Sequence, residues 1–212
     1  MRSNQKGFTL LEIIVVLAVL GALAAMLSPA VFRYIDDGNR TRAQGDVQVI
    51  ATAINRMYAD TSRWPFYDDG QGQKNRIGNV DATHLTSNPA CNSATPQAMS
   101  CDTTAPTSGA NWGNFSVLKV DSLAGQLMDN DPGYLTTGPR AWRGPYVEAV
   151  PPLDPWGRSY LVNIGNADPA AEGPGQPWVV ALSAGPNGII ESLHGATPNP
   201  VVGGDDVIAR IK

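Results

Sequence analysis

The feature that most constrains this chain is the run from Phe8 to Leu27, twenty residues in which Glu12 is the only charge. It follows a heptapeptide, Met1 to Gly7, that carries Arg2 and Lys6 and no acid. A helix rising about 1.5 Å per residue covers roughly 30 Å in twenty residues, the thickness of a bilayer core. One membrane span is therefore expected. The basic leader orients it, because Lys and Arg stay on the cytoplasmic side while the rest of the chain crosses. Glu12 is the anomaly. A bare carboxylate near the start of such a run costs about 2.5–3.5 kcal/mol on insertion scales, so it should have a task. A secretory signal peptide cut at Ala22-Leu23-Ala24 gives it none, and neither does a plain membrane anchor.

Composition narrows what lies beyond. With 212 residues, 42% of them hydrophobic and 16% charged, the chain holds one domain of ordinary size plus an accessory element, which excludes wholesale disorder and a disulfide miniprotein. Fifteen Lys and Arg against 19 Asp and Glu make no one-sided basic surface, so nucleic acid is not an expected partner. Gly and Pro lie mostly after Tyr58, which calls for short strands and many turns there.

Val47, Ile50, Ile54, Met57 and Tyr58 recur at three- and four-residue steps, the pattern of a helix with one buried face. Joined to the apolar run, they predict one helix from about Phe8 to Ala59, roughly 80 Å long, whose second half packs on a sheet. Pro29 should kink or locally melt it near Ser28. After Trp64-Pro65 a polar, turn-rich stretch, about 66–138, reads as a long loop insertion. Within it, Phe115 to Leu127 fits a short amphipathic helix. Cys91 and Cys101 are the only cysteines, close in sequence and outside the cytoplasm, so a disulfide is the simplest expectation; a metal site with His84 is the sharper alternative. Further on, Tyr146 to Val150, Ser159 to Ile164 and Trp178 to Leu182 form three β-rich runs, expected to make an antiparallel meander.

The segment Lys6-Gly7-Phe8-Thr9-Leu10-Leu11-Glu12 resembles the class III leader of type IV pilins and type II secretion pseudopilins. Near the other end, three blocks occur in the order found in major pseudopilins of type II secretion: Trp142-Arg143-Gly144-Pro145-Tyr146, Asp154-Pro155-Trp156-Gly157-Arg158-Ser159-Tyr160, and Ser183-Ala184-Gly185-Pro186-Asn187-Gly188. The resemblance implies an α+β, type IV pilin-like fold, with a long N-terminal helix on a small antiparallel sheet and a C-terminal loop. It divides the chain into a leader (1–7), a transmembrane and filament-core helix (8–28), and a periplasmic domain (29–212). Prepilin peptidase would cut between Gly7 and Phe8, and the new amine of Phe8 would be methylated. Glu12 would pair with the N-terminal amine of a neighbouring subunit, joining two otherwise costly charges.

The implied location is the inner membrane, single-pass with the C-terminal domain in the periplasm, and a periplasmic pseudopilus after assembly. The implied partners are further copies of the chain, minor pseudopilins, an inner-membrane assembly platform and prepilin peptidase. Major pseudopilins of this kind bind one calcium ion, and Ser183, Asn187, Asp205 and Asp206 fall on their loop pattern. That family usually has aspartate where this chain has Asn187, and Glu191 is a substitute ligand to weigh. A type IV pilus subunit for adhesion, motility or DNA uptake is the alternative role. The middle of the chain departs from the pseudopilin pattern, being longer and carrying the cysteine pair.

Catalysis is not expected. Ala181 stands where a nucleophile elbow around Ser183 needs its first glycine, and there is no phosphate-binding glycine loop with lysine. The only histidines, His84 and His194, read as surface residues in polar loops.

Overall fold

A computed structural model describes residues 7–65, 84–91, 97–107, 112, 119–131, 133–167, 178–192 and 202–212. The chain divides into two compact units, Met1–Asn39 and Arg40–Lys212. Its architecture is α+β: a helix α1 (Leu10–Thr61) and a six-stranded sheet of β1 (His84–Thr86), β2 (Gln97–Ala98), β3 (Lys119–Ser122), β4 (Leu161–Val162), β5 (Val180–Ser183) and β6 (Val207–Arg210).

In the first unit the large apolar residues of α1 from Leu10 to Ile35 are exposed. The helix is long and apolar enough there to cross a membrane. The expected melting near Ser28 does not occur, because α1 runs unbroken through Pro29. A proline removes a single hydrogen bond from a helix, and 52 residues of otherwise regular helix hold the turns on either side.

In the second unit the expected face is buried. Ala43, Val47, Ile50, Ala51, Ile54 and Met57 join Leu85, Val162, Ala181, Val207 and Ala209 in one core. Tyr58, expected in that face, is 40% exposed and stacks on Trp64 at 4.1 Å between ring centres. The helix stops where Ser62 adopts a left-handed φ of 54° and its N–H bonds the carbonyl of Tyr58 at 2.7 Å.

The sheet order is β2-β3-β1-β4-β5-β6. The second and third expected runs supply β4 and β5, which pair antiparallel with Leu161 opposite Leu182, and the third strand of the meander is β6, which was not expected, with Ala181 opposite Ala209. The other half corrects the expectation. The insertion is not all loop: it supplies β1, β2 and β3, and β1 pairs with β3 in parallel, so the sheet is mixed. Residues expected in an amphipathic helix instead form β3 and a single wide turn, Gly125–Asp129; the part of that expectation at 115–118 lies outside the described residues. Buried Val120 and Leu123 suit a strand and its exit as well as a helix face, and a short apolar run does not discriminate between them. Tyr146 to Val150 is no strand either. Pro145, Pro151 and Pro152 flank it without N–H groups for a ladder, and its side chains pack on the core as a loop.

Alternation along the strands explains what the insertion does. Val162, Ala181 and Ala209 face α1, while Leu161, Val180 and Leu182 point to the opposite face. That second face is covered by Cys91, Trp112, Ala184 and Ile190, and the Trp112 indole N–H donates to the Ser192 carbonyl at 3.1 Å. Cys91 and Cys101 are joined in a disulfide, so neither offers a thiolate to a metal. His84 is buried on β1, with its ring 5.5 Å from that of Trp112, rather than in a surface loop; His194 lies outside the described residues.

A buried carboxylate fastens the insertion to the meander. Asp102 Oδ1 accepts from Asn88 Nδ2 (2.8 Å), the Thr104 N–H (3.0 Å) and Ser159 Oγ (3.0 Å), while Oδ2 accepts from Thr86 Oγ1. Replacing both Cys91 and Cys101 by serine should lower stability by about 2–3 kcal/mol, the loop-closure value for a ring of this size. Denaturant titration followed by Trp112-sensitive fluorescence measures this; an unchanged midpoint would show that the disulfide does not hold the second face together.

Asp121, on β3, is a different case. It accepts from Gln126 Nε2 at 2.6 Å, and the oxygen of that amide, Oε1, accepts from the Tyr134 hydroxyl at 2.8 Å. Burial pushes the Asp121 carboxyl up to about 6, against the pull of Gln126 and the Ser122 N–H and with some help from Asp131. A folded-state value above the unfolded one means the fold prefers the protonated acid. The contribution of Asp121 to stability should therefore be fully present below about pH 4 and fall by up to about 3 kcal/mol as pH rises through 6. Asp121→Asn should remove that component from the pH profile of thermal unfolding.

Candidate functional site

Two places carry the candidate residues: the start of α1 and the C-terminal loops. At the first, Gly7 and Phe8 precede the helix in extended chain, with Phe8 82% exposed. Thr9 and Glu12 close a reciprocal cap. The Glu12 N–H donates to Thr9 Oγ1 at 3.2 Å, and Glu12 Oε2 accepts from the Thr9 N–H at 3.4 Å. The backbone carbonyl of Thr9 accepts from the N–H groups of Glu12 and Ile13 at 3.1 and 3.3 Å.

This is a capping box, Thr-x-x-Glu, which satisfies two helix-end donors and sets a negative charge at the positive end of the helix dipole. Sequence reasoning gave Glu12 a pairing role between subunits and missed its capping one. The threonine three residues earlier was the signal for its second role. Cleavage after Gly7 would leave both partners in the mature chain.

The C-terminal site rests on the turn Asp154-Pro155-Trp156-Gly157. Asp154 Oδ1 accepts from the N–H groups of Trp156 (3.0 Å) and Arg158 (2.8 Å), and Oδ2 accepts from the Ser183 hydroxyl at 2.6 Å. Ser183 ends β5, so this bond ties the turn to the root of the loop that follows. The tryptophan-glycine-proline block plays a related part. The indole of Trp142 lies 2.4 Å from where a Cβ on Gly144 would stand, so only glycine fits, and Trp142 meets Tyr146 edge-on at 5.5 Å.

Beyond Ser183 the loops interlock. The Asn187 N–H donates to Asp205 Oδ2 (3.1 Å), and Asn187 Oδ1 accepts from the Ile189 N–H (2.7 Å). Asp206 Oδ2 accepts from the N–H groups of Glu191 (2.9 Å) and Ser192 (2.6 Å). The structure thus brings Asn187, Asp205 and Asp206 together but turns the Ser183 hydroxyl toward Asp154. Oδ1 of Asp205 and Oδ1 of Asp206 are shut off from solvent and have no hydrogen-bond partner. Burial raises the Asp206 carboxyl above the usual range, against three hydrogen bonds that lower it, and Asp205 adds to the rise.

Two orphaned carboxylate oxygens on adjacent residues suit the all-oxygen chemistry of calcium. Among the described residues, no three His, Cys, Asp or Glu side chains are already gathered at ion-binding spacing. Further oxygens would have to come from carbonyls, water or a side-chain turn. Asp154→Ala should cost about 2–4 kcal/mol of stability equally in calcium and in chelator, because it strips three donors of their acceptor. Thermal unfolding in both buffers checks this.

Residues 2–28 match the prokaryotic N-terminal methylation motif. Over its N-terminal region the chain is similar to type II secretion system core protein G. It is 41% identical to that of Pseudomonas aeruginosa over 69 residues, which is 32% of this chain and 49% of that protein. With core protein G of Dickeya chrysanthemi the identity is 33% over 72 residues, 34% of this chain and 47% of the other. A type IV major alpha-pilin of Moraxella bovis is 34% identical over 74 residues, 35% of this chain and 46% of the pilin. The chain thus spans about half the length of the curated relatives it matches. No solved structure matches it.

Proposed function

We propose that this chain is a structural subunit of a type II secretion pseudopilus, without catalysis of its own. The observation that carries the reading is the start of α1. A methylation-type leader joins a helix whose large apolar residues from Leu10 to Ile35 are exposed, capped by a carboxylate four residues after Phe8. Such a surface is stable only in lipid or against other helices. The mature helix waits in the inner membrane with the C-terminal domain in the periplasm, and then enters the core of a helical filament whose growth exports folded proteins.

In that core Glu12 faces a low-dielectric surround, where the amine of a neighbouring Phe8 both neutralises it and fixes the axial register. Prepilin peptidase, minor pseudopilins and an assembly platform are the partners this role requires. Calcium is the structural cofactor, held at the paired acids Asp205 and Asp206. A second reading, a type IV pilus subunit, draws on the similarity to the Moraxella alpha-pilin and on the disulfide.

Intact mass and N-terminal sequence of the protein from its native membrane should show a chain beginning at methylated Phe8; a start at Ala25 would end the filament reading. Glu12→Gln retains an oxygen for the Thr9 cap and removes the charge. It should be processed and inserted normally yet form no filaments, whereas normal filaments would show that capping is the whole role of Glu12. Loss of enzyme secretion with intact twitching on deletion supports the pseudopilus over the pilus.

A further inference from the structure

The calcium pattern of the resemblance places a ligand at position 187, but Asn187 is occupied otherwise. Its Oδ1 accepts from the Ile189 N–H at 2.7 Å, and its Nδ2 donates to Glu191 Oε2 at 3.2 Å. An aspartate has no donor to make the second bond. The same Glu191 Oε2 accepts from the Asp205 N–H at 3.3 Å, and the backbone N–H of Glu191 is bound by Asp206 Oδ2 at 2.9 Å. Opposite it, a Cβ on Gly204 would lie 1.3 Å from Glu191 Oε2, so glycine at 204 leaves a slot that the glutamate fills. Asn187, Gly204 and Asp205 together hold one carboxylate beside the acid pair.

That carboxylate is the missing charge. Asp206 is 6% exposed and, among the described residues, neither its Oδ1 nor that of Asp205 has a hydrogen-bond partner, so the pocket presents unsatisfied acceptors. A cation with oxygen ligands supplies what they lack, and a third acid beside them raises its affinity. Among the described residues no three acids stand at ion-binding spacing, so Glu191, which is exposed, reaches an arriving ion by turning from the place where Asn187 and Asp205 hold it. We propose that Glu191 is a ligand of the calcium ion bound at Asp205 and Asp206, held ready by Asn187, which acts as a positioning residue rather than as a ligand through its side chain. This rests on the calcium reading above.

The test uses the full chain in detergent micelles, titrated with calcium chloride and followed by thermal unfolding, with a chelator baseline. The wild-type melting temperature should rise with calcium. Glu191→Gln keeps an oxygen for Asn187 and Asp205, so it should melt with the wild type in chelator while needing about tenfold more calcium, or more, for half the rise. Asn187→Ala should shift the midpoint in the same direction by less, and Glu148→Gln, an acid elsewhere on the surface, should not shift it. A wild-type calcium midpoint in Glu191→Gln would overturn the assignment, as would an equal loss of stability in calcium and in chelator, which would mark a structural hydrogen bond. If the wild type itself gains nothing from millimolar calcium, the calcium reading fails and this assignment with it.

Discussion

Everything after residue 40 depends on one packing interaction, the apolar face of α1 against the sheet. Val47, Ile50, Ile54 and Met57 are fully enclosed there, each contributing on the order of 1.5–3 kcal/mol by leaving water. The strands that receive them are short, two to four residues each, and their ladders alone would not hold. The helix supplies the continuous surface on which these fragments become a sheet. Tyr160 adds a polar tie, its hydroxyl donating to Asp46 on the helix at 2.7 Å. A sheet built this way buries one face and leaves the other needing cover. The insertion provides it, with Trp112 and the disulfide lying over Leu161, Val180 and Leu182.

Legibility followed the length of the signal. The helix could be read because its period persists over several turns at Val47, Ile50, Ile54 and Met57, and β4 and β5 because Leu161 and Ala181 sit in runs bounded by Gly and Pro, whereas β6 around Ala209 was not read. The strands of the insertion could not be read. His84–Thr86 and Gln97–Ala98 are too short to show a period, and they become strands only because β3 and β4 present free edges to them. The buried state of His84 and Asp102 was equally hidden. Each is polar in sequence, and only Thr86, Asn88, Thr104 and Ser159 closing round Asp102 make its burial affordable.

The motifs in the C-terminal third were visible as motifs before their work was. Asp154 reads as a turn former, and it is one, but its second oxygen reaches 29 residues ahead to Ser183 and anchors the loop that carries Asn187. A hydroxyl that the pattern offered to calcium is thereby directed into the fold. The acids that remain, Asp205 and Asp206, are held by backbone N–H groups through one oxygen each and present the other inward. Such a pair repels itself when empty, which is the condition under which a bound cation stabilises a loop most.

The start of α1 joins two requirements in one side chain. A helix entering lipid must satisfy its first N–H groups without water, and Thr9 with Glu12 does so inside the chain. The same carboxylate then carries a charge that the apolar surface around it cannot solvate. A neutral cap such as glutamine would meet the first requirement without that penalty, so capping alone does not explain a glutamate here. On the proposed filament reading, what would explain it is a cation arriving from outside the chain, and an amine created by cleavage before Phe8 is the one that every further copy would bring. The cap holds Glu12 at the helix end, where on that reading such an amine would meet it.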